Sequence, residues 1–240
     1  MNLAENLART AQERPDAAAL LLGEDTWSYA RLADAAARFT AELRARGVEP
    51  GDRVALSLPN IPAFAVVYYG AMAAGAIVVP MNPLFKPREV SYYLQDAGVR
   101  VLVGLPDSDA QRAAQEGGVD FIAVDTLPDL LAGREPDTQI EQREESDTAV
   151  LLYTSGTTGS PKGAQLTYRN LETNHRLTSE TLLETAENDV IMGCLPLFHV
   201  FGMTCAMNMS IAVGSTLALI PRFDPAQALE TMQREKVTVF

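Results

Sequence analysis

Val150-Leu-Leu-Tyr-Thr-Ser-Gly-Thr-Thr-Gly-Ser-Pro-Lys-Gly-Ala164 is the stretch around which this chain is built. The apolar run from Ala149 to Leu152 has the length and character of a buried strand, and it gives way at once to hydroxyls, glycines, a proline and a lysine. Such a loop suits a polyphosphate. Gly156 and Gly159 can turn backbone N–H groups inward on an anion, the hydroxyls of Thr154, Ser155, Thr157 and Thr158 add donors, and Lys162 adds a point charge beside Gly163. The spacing G-x-x-x-x-G-K-[ST] cannot be laid on Gly156, Gly159, Lys162 and Gly163, and no helix-forming run follows directly. Ala164 to Tyr168 instead reads as a second short strand, so the expected arrangement is a strand–loop–strand clasp with Lys162 on the loop. A solvent-exposed Ser/Thr/Gly linker would need neither Pro161 and Lys162 nor a buried strand leading into it.

Outward from this loop, the chain alternates apolar runs of strand length with helical periodicity. A short helix over Asn2 to Glu13 stops before Pro15. A hairpin follows (Ala18 to Leu22, Thr26 to Ser28), then a helix from Tyr29 to Arg46 closed by Gly47. Next come a strand over Arg53 to Leu58, a helix capped by Asn60 and running to about Ala74, and a strand over Ile77 to Pro80. The same alternation continues through Glu89–Asp96, Val99–Gly104, Asp109–Glu116 and Phe121–Val124. Beyond the loop, Arg169–Glu184, His199–Val213 and Pro225–Glu235 read as helices, and Val190–Leu195 and Thr216–Ile220 as strands. The fold class is α/β, layered as α/β/α with mainly parallel sheets. Between Leu131 and Asp147 the pattern fails. Gly133, Pro136 and the acids Glu141, Glu144, Glu145 and Asp147 suggest a solvated connection, giving an α/β subdomain at 1–136, an acidic connection at 137–147 and the start of a second α/β subdomain at 148–240. Lys236 to Phe240 begins another apolar strand with no helix after it, as expected for the N-terminal part of a longer sheet.

Composition narrows the function. A chain of 240 residues with 47% hydrophobic and 21% charged content is long enough to bury a substantial core. A net charge of −12 without a Lys/Arg cluster argues against nucleic acid as a partner. Cys194 and Cys205 have no metal-type spacing, which argues against a disulfide framework or a structural zinc site, and no metal-ligand set is assigned. The charged N-terminus is not a signal peptide, so a cytoplasmic location is expected. Val54 to Phe85 and Val190 to Pro221 contain no Lys, Arg, Asp or Glu, but glycines, prolines and asparagines interrupt both. They read as strand–helix–strand units covered on both faces, not as transmembrane spans; a peripheral membrane contact is left open.

Tyr153-Thr-Ser-Gly-Thr-Thr-Gly-Ser-Pro-Lys-Gly163 resembles, nearly letter for letter, the signature of the adenylate-forming (AMP-binding) enzymes: acyl-CoA synthetases, peptide-synthetase adenylation domains and beetle luciferase. Trp27 to Leu32 and Ala74 to Asn82 resemble further family motifs, mainly structural ones. Pro196-Leu-Phe-His-Val-Phe-Gly202 resembles the segment that lines the acyl and thiol path in acyl-CoA synthetases. The resemblance covers most of the chain and is strongest toward fatty acyl-CoA ligases. It implies ATP-dependent activation of a carboxylic acid to an acyl-adenylate with release of pyrophosphate, then transfer to a thiol, with ATP, Mg²⁺ and CoA as cofactors. Thr154 to Gly159, Lys162 and Gly163 would hold the β- and γ-phosphates, Lys162 and His199 would be the catalytic residues, and His199 would orient the substrate carboxylate. Adenylation domains that grip an amino group usually carry an Asp in the histidine segment. Here the nearest acid, Asp189, precedes the strand, so a fatty or other simple acid fits better. Met203, Met207 and Met209 suit either core filling or an acyl-pocket wall. The adenine segment, the Mg²⁺ acid, the ribose Asp and the adenylation lysine all fall later in the family's order, so this chain is expected to be an N-terminal portion without turnover of its own. The alternative is a stand-alone phosphate- or nucleotide-binding module or a non-catalytic partner.

Overall fold

The computed structural model describes residues 1–154 and 161–240. Its strands form two sheets, one of order β6-β5-β3-β4-β7-β8 and one of order β2-β1-β10-β9. The first comprises β3 (Arg53–Ser57), β4 (Ile77–Pro80), β5 (Val99–Gly104), β6 (Asp120–Ala123), β7 (Thr148–Thr154) and β8 (Lys162–Thr167). All of these run parallel except β8, which lies antiparallel on β7. The second comprises β1 (Ala18–Leu22), β2 (Asp25–Ser28), β9 (Val190–Gly193) and β10 (Thr216–Leu219), parallel apart from the edge strand β2. On the free side of β9, Val239 makes one isolated parallel bridge to Ile191.

The strand faces define the layers. In β3, Val54 and Leu56 point into the main core while Ala55 joins a second core with Val79 and Leu102 on the opposite face. That second core is closed by α4 (Pro87–Ala97) and α5 (Asp109–Gly117). The main core lies between the two sheets and holds α1 (Ala4–Glu13), α2 (Tyr29–Ala45), α3 (Pro62–Ala73), α7 (Tyr168–Leu177) and α8 (Met209–Val213). Beyond the second sheet, α9 (Pro225–Glu235) covers Met192 and Ile220. This position explains the uncharged run from Val54 to Phe85: α3 is a helix buried on every side, with Phe64 to Met72 all buried. Among the described residues no helix is long and apolar enough to cross a membrane.

Buried phenols tie the two halves together. Tyr29 donates to the carbonyl oxygens of Ser210 (3.0 Å) and Ser215 (2.6 Å), Tyr69 donates to Asn208 Oδ1 (3.0 Å), and Asn208 Nδ2 donates to the Tyr68 hydroxyl (3.0 Å). Each satisfies a polar group that would otherwise be costly inside the core.

Several expectations need correction. The connection at 137–147 does not separate one sheet from the other, because β1 and β2 join β9 and β10 while β7 and β8 extend the sheet of β3 to β6. Parallel crossovers let distant segments interleave, so a composition break need not be a structural boundary. The connection is also held down: Glu141 N–H donates to Ala73 O (2.8 Å), Asn2 Nδ2 to Glu141 O (2.9 Å), and Arg44 pairs with Asp137. A short helix, α6 (Leu127–Ala132), precedes it. The helix after β8 ends at Leu177 and passes into a wider π-type turn (Thr178–Leu182), and a similar wide segment (Gly202–Asn208) leads into α8. Asn60 does not cap α3, whose first turn is entered through Ile61 and Pro62 without a side-chain cap.

Candidate active site

β7 and β8 are the clasp expected from the loop sequence. Thr154, the last residue of β7, lies opposite Lys162, the first residue of β8, and both are exposed. Lys162 therefore stands on a paired strand at the loop's exit, not on the loop. Gly163 follows it, where a Cβ would fall 2.9 Å from Leu151 Cδ1 and the leucine side chain would have to shift to admit one. Ser155, Gly156, Thr157, Thr158 and Gly159 lie outside the described residues.

Both ends of the loop are tied to α4. Tyr92 donates to Pro161 O (2.8 Å), and Tyr153 donates to Asp96 Oδ2 (2.6 Å) while stacking on Tyr93 with ring centroids 4.2 Å apart. Burial, together with the Asp96 carboxylate that accepts its hydrogen bond, pushes the Tyr153 phenol up, so it remains a donor at neutral pH. Tyr92 and Tyr93 were not singled out by sequence reasoning. Their helical run, Ser91-Tyr-Tyr-Leu94, looks like ordinary core patterning.

The carboxyl ends of the parallel strands converge on one cleft. A largely apolar cavity of about 490 Å³ is lined by Pro59 and Asn60 after β3, Asn82 to Leu84 after β4, Cys194, Pro196 and Phe198 after β9, and Arg222 and Phe223 after β10. Burial pushes the Cys194 thiol up, so it presents the cavity with a neutral wall. Next to it, a smaller cavity of about 110 Å³ is lined by Asn82, Phe85, Tyr93, Tyr153, Phe198 and His199. Asn82 and Phe198 line both cavities, which therefore adjoin, and the smaller one brings the histidine segment and the base of the glycine loop together. His199 is exposed there beside Phe198, whose ring centroid is 5.0 Å away.

The other sequence candidates separate cleanly. His175 is buried on α7 against Glu172 Oε2 (2.8 Å) and is remote in role from His199. Asp189 lies at the amino end of β9, accepting from Thr238 Oγ1 (2.7 Å) and Ala186 N–H (2.7 Å), at the end of the strand away from the cleft. Met203, Met207 and Met209 are fully buried and fill the core. Among the described residues no three His, Cys, Asp or Glu side chains gather to hold a metal ion.

An α/β protein whose parallel strands end near a glycine-rich clasp and an exposed histidine, beside an apolar cavity, has the layout of a ligand-binding domain. The chain belongs to the family of AMP-binding enzymes, whose sequence model matches residues 7–240. It is 32% identical to a long-chain-fatty-acid–CoA ligase of Bacillus subtilis (strain 168), over 98% of this chain and 49% of that protein. It is 36% identical to a feruloyl-CoA synthase of an Amycolatopsis species, over 96% of this chain and 46% of that protein. Among solved structures, the N-terminal domain of FACL13 from Mycobacterium tuberculosis superposes with a TM-score of 0.91 at 29% identity, covering 99% of this chain and 61% of that one. The chain thus spans about half the length of the curated relatives it matches.

Proposed function

We propose that this region serves the ATP-dependent activation of a carboxylic acid, a fatty acid first among the candidates, to an acyl-adenylate that is then passed to the thiol of CoA. The observation that carries the reading is that Leu152 and Tyr153, the strand residues leading into the glycine clasp, line the same small cavity as the exposed His199, one residue before Thr154 pairs with Lys162 at the clasp's mouth. Thr154, Lys162 and Gly163, with Ser155 to Gly159 between them, would hold the β- and γ-phosphates. Lys162 can meet charge on the departing pyrophosphate, and His199 can hold the attacking carboxylate beside Phe198. The largely apolar cavity of about 490 Å³ would take the acyl chain. When bound, ATP supplies the activated phosphorus and Mg²⁺ screens the phosphate charge; no described side-chain cluster of this chain is assigned to the metal. Turnover requires the remainder of the fold that the relatives possess.

The longest product encoded by the gene should catalyse acid-dependent ATP–pyrophosphate exchange and form thioesters from long-chain acids and CoA, whereas residues 1–240 alone should give no exchange above an enzyme-free blank. Exchange by residues 1–240 alone would contradict the assignment of catalytic parts to the rest of the fold. ATP binding without exchange by the longest product, across fatty and aromatic acids, would return the alternative of a stand-alone binding module.

A further inference from the structure

Asn60 follows β3 and stands where a helix cap would be expected, yet α3 begins without one. The side chain, only 3% exposed, reaches instead across the cleft to the other sheet. Its Nδ2 donates to Gly193 O (3.0 Å) and Leu195 O (2.8 Å), and its Oδ1 accepts from Leu197 N–H (2.9 Å). Both donors and the acceptor of one carboxamide are therefore used on the backbone turn that leads from β9 to His199. That turn carries the histidine: His199 N–H donates to Pro196 O (3.0 Å), and Met203 N–H donates to His199 O (2.9 Å). Among the described residues the His199 ring makes no hydrogen bond, so its direction is set by this backbone and by the neighbouring Phe198 ring.

We infer that Asn60 is a positioning residue that joins the two sheets across the cleft and fixes where His199 stands relative to the glycine clasp. Only asparagine meets the geometry. Aspartate would lose both donors and set a negative charge against two carbonyl oxygens, serine cannot span the distance, and glutamine is one methylene too long for a site this enclosed. A local capping role was given up for a distant contact, the kind of broken local rule that tends to mark functional sites. This inference rests on the reading of His199 given above, and its test separates the two.

In residues 1–240, Asn60→Ala and the equally bulky Asn60→Asp should each speed amide hydrogen exchange at Leu197 by about tenfold or more and move the ring resonances of His199, while exchange in β1 and β2 stays as in the parent. In the longest gene product, both variants should lower kcat for adenylation by about tenfold to a hundredfold with the KM for ATP within about twofold, because the clasp is tied separately to α4. Asn60→Ser replaces the alanine variant should that one fail to fold. Unchanged Leu197 exchange and His199 resonances in the variants would overturn the inference, as would an unchanged kcat alongside a His199→Ala variant that loses activity. If His199→Ala leaves turnover intact, the role given to His199 fails, while the exchange and ring signals still decide whether Asn60 holds the segment.

Discussion

On the six-stranded side of the cleft, the clasp is held from its periphery by phenol hydroxyls, Tyr92 on Pro161 O and Tyr153 on Asp96, with the Tyr92 contact part-buried and the Tyr153 contact exposed. On the four-stranded side, the histidine segment is held from within, by the buried amide of Asn60 and by the close seating of Gly202 beneath Pro196. The described ends of the clasp are therefore tied to α4 by hydrogen bonds near the surface, whereas a shift of the histidine segment must open buried hydrogen bonds. On the proposed reading, the first arrangement suits a loop that takes up phosphates and the second a residue that meets a carboxylate in one place.

The largest effect should come from the rigid side. A Cβ at Gly202 would collide with the backbone oxygen of Pro196 and approach Leu195 O to 2.9 Å, so Gly202→Ala must displace the histidine turn. The expected result is a loss of adenylation of more than about a hundredfold, with destabilisation of about 1–3 kcal/mol visible as a lower melting temperature. Next in size, Thr158→Ala should slow adenylation by about a hundredfold or more and Lys162→Ala by less, because a hydroxyl donor that meets charge on the leaving group is worth about 3–4 kcal/mol against nearer 1 for a solvated charge. Both should leave thioester formation from supplied acyl-adenylate unchanged; equal losses in the two half-reactions would mean the clasp supports the fold instead of ATP.

Smaller again is Tyr92→Phe, which removes one hydrogen bond worth about 1 kcal/mol. Its KM for ATP should rise about threefold to tenfold while the His199 ring resonances stay put, and a variant that moves those resonances would erase the contrast between the two sides. The smallest effect on the cleft should be that of Glu42, far from it on α2. Glu42 is buried, but hydrogen bonds from Arg134 and Arg46 outweigh the burial and hold its carboxyl below the ordinary value of 4.5. A lowered folded-state value means the stabilisation is present above about pH 4.5 and is lost as pH falls through the folded value. The stability gap between the parent and Glu42→Gln, followed by denaturant melts from pH 7 to pH 3, should therefore narrow on acidification, while exchange at Leu197 is the same in both at pH 7.

Much of this was legible in the chain. The strand–loop–strand clasp followed from Ala164-Gln-Leu-Thr-Tyr168, which reads as a short strand with no helix-forming run; β8 begins two residues earlier, at Lys162, and ends at Thr167. The two uncharged runs were rightly read as core, because Pro59, Pro62 and Pro80 punctuate one and Pro196 and Gly214 the other. Sheet membership was not legible: nothing in residues 18–28 states that they pair with residues 216–219 instead of with the next strand. Nor was the role of Asn60, since local capping chemistry and a long-range amide bridge call for the same residue, and only the fold decides between them. Tyr92 was hidden for a related reason, because aromatic residues at buried spacing look alike whether or not their hydroxyls reach a loop.

The most direct test of the central claim is to map ATP onto residues 1–240 by amide chemical-shift perturbation, with pyrophosphate as competitor. The account predicts shifts concentrated at Tyr153, Thr154, Lys162 and Gly163 and extending to Tyr92, reversed by pyrophosphate and weakened in Thr158→Ala, with the β1–β2 hairpin silent. Absence of any perturbation at the clasp, or perturbation centred instead on the polar basin around Arg9, His175 and Arg176, would contradict it.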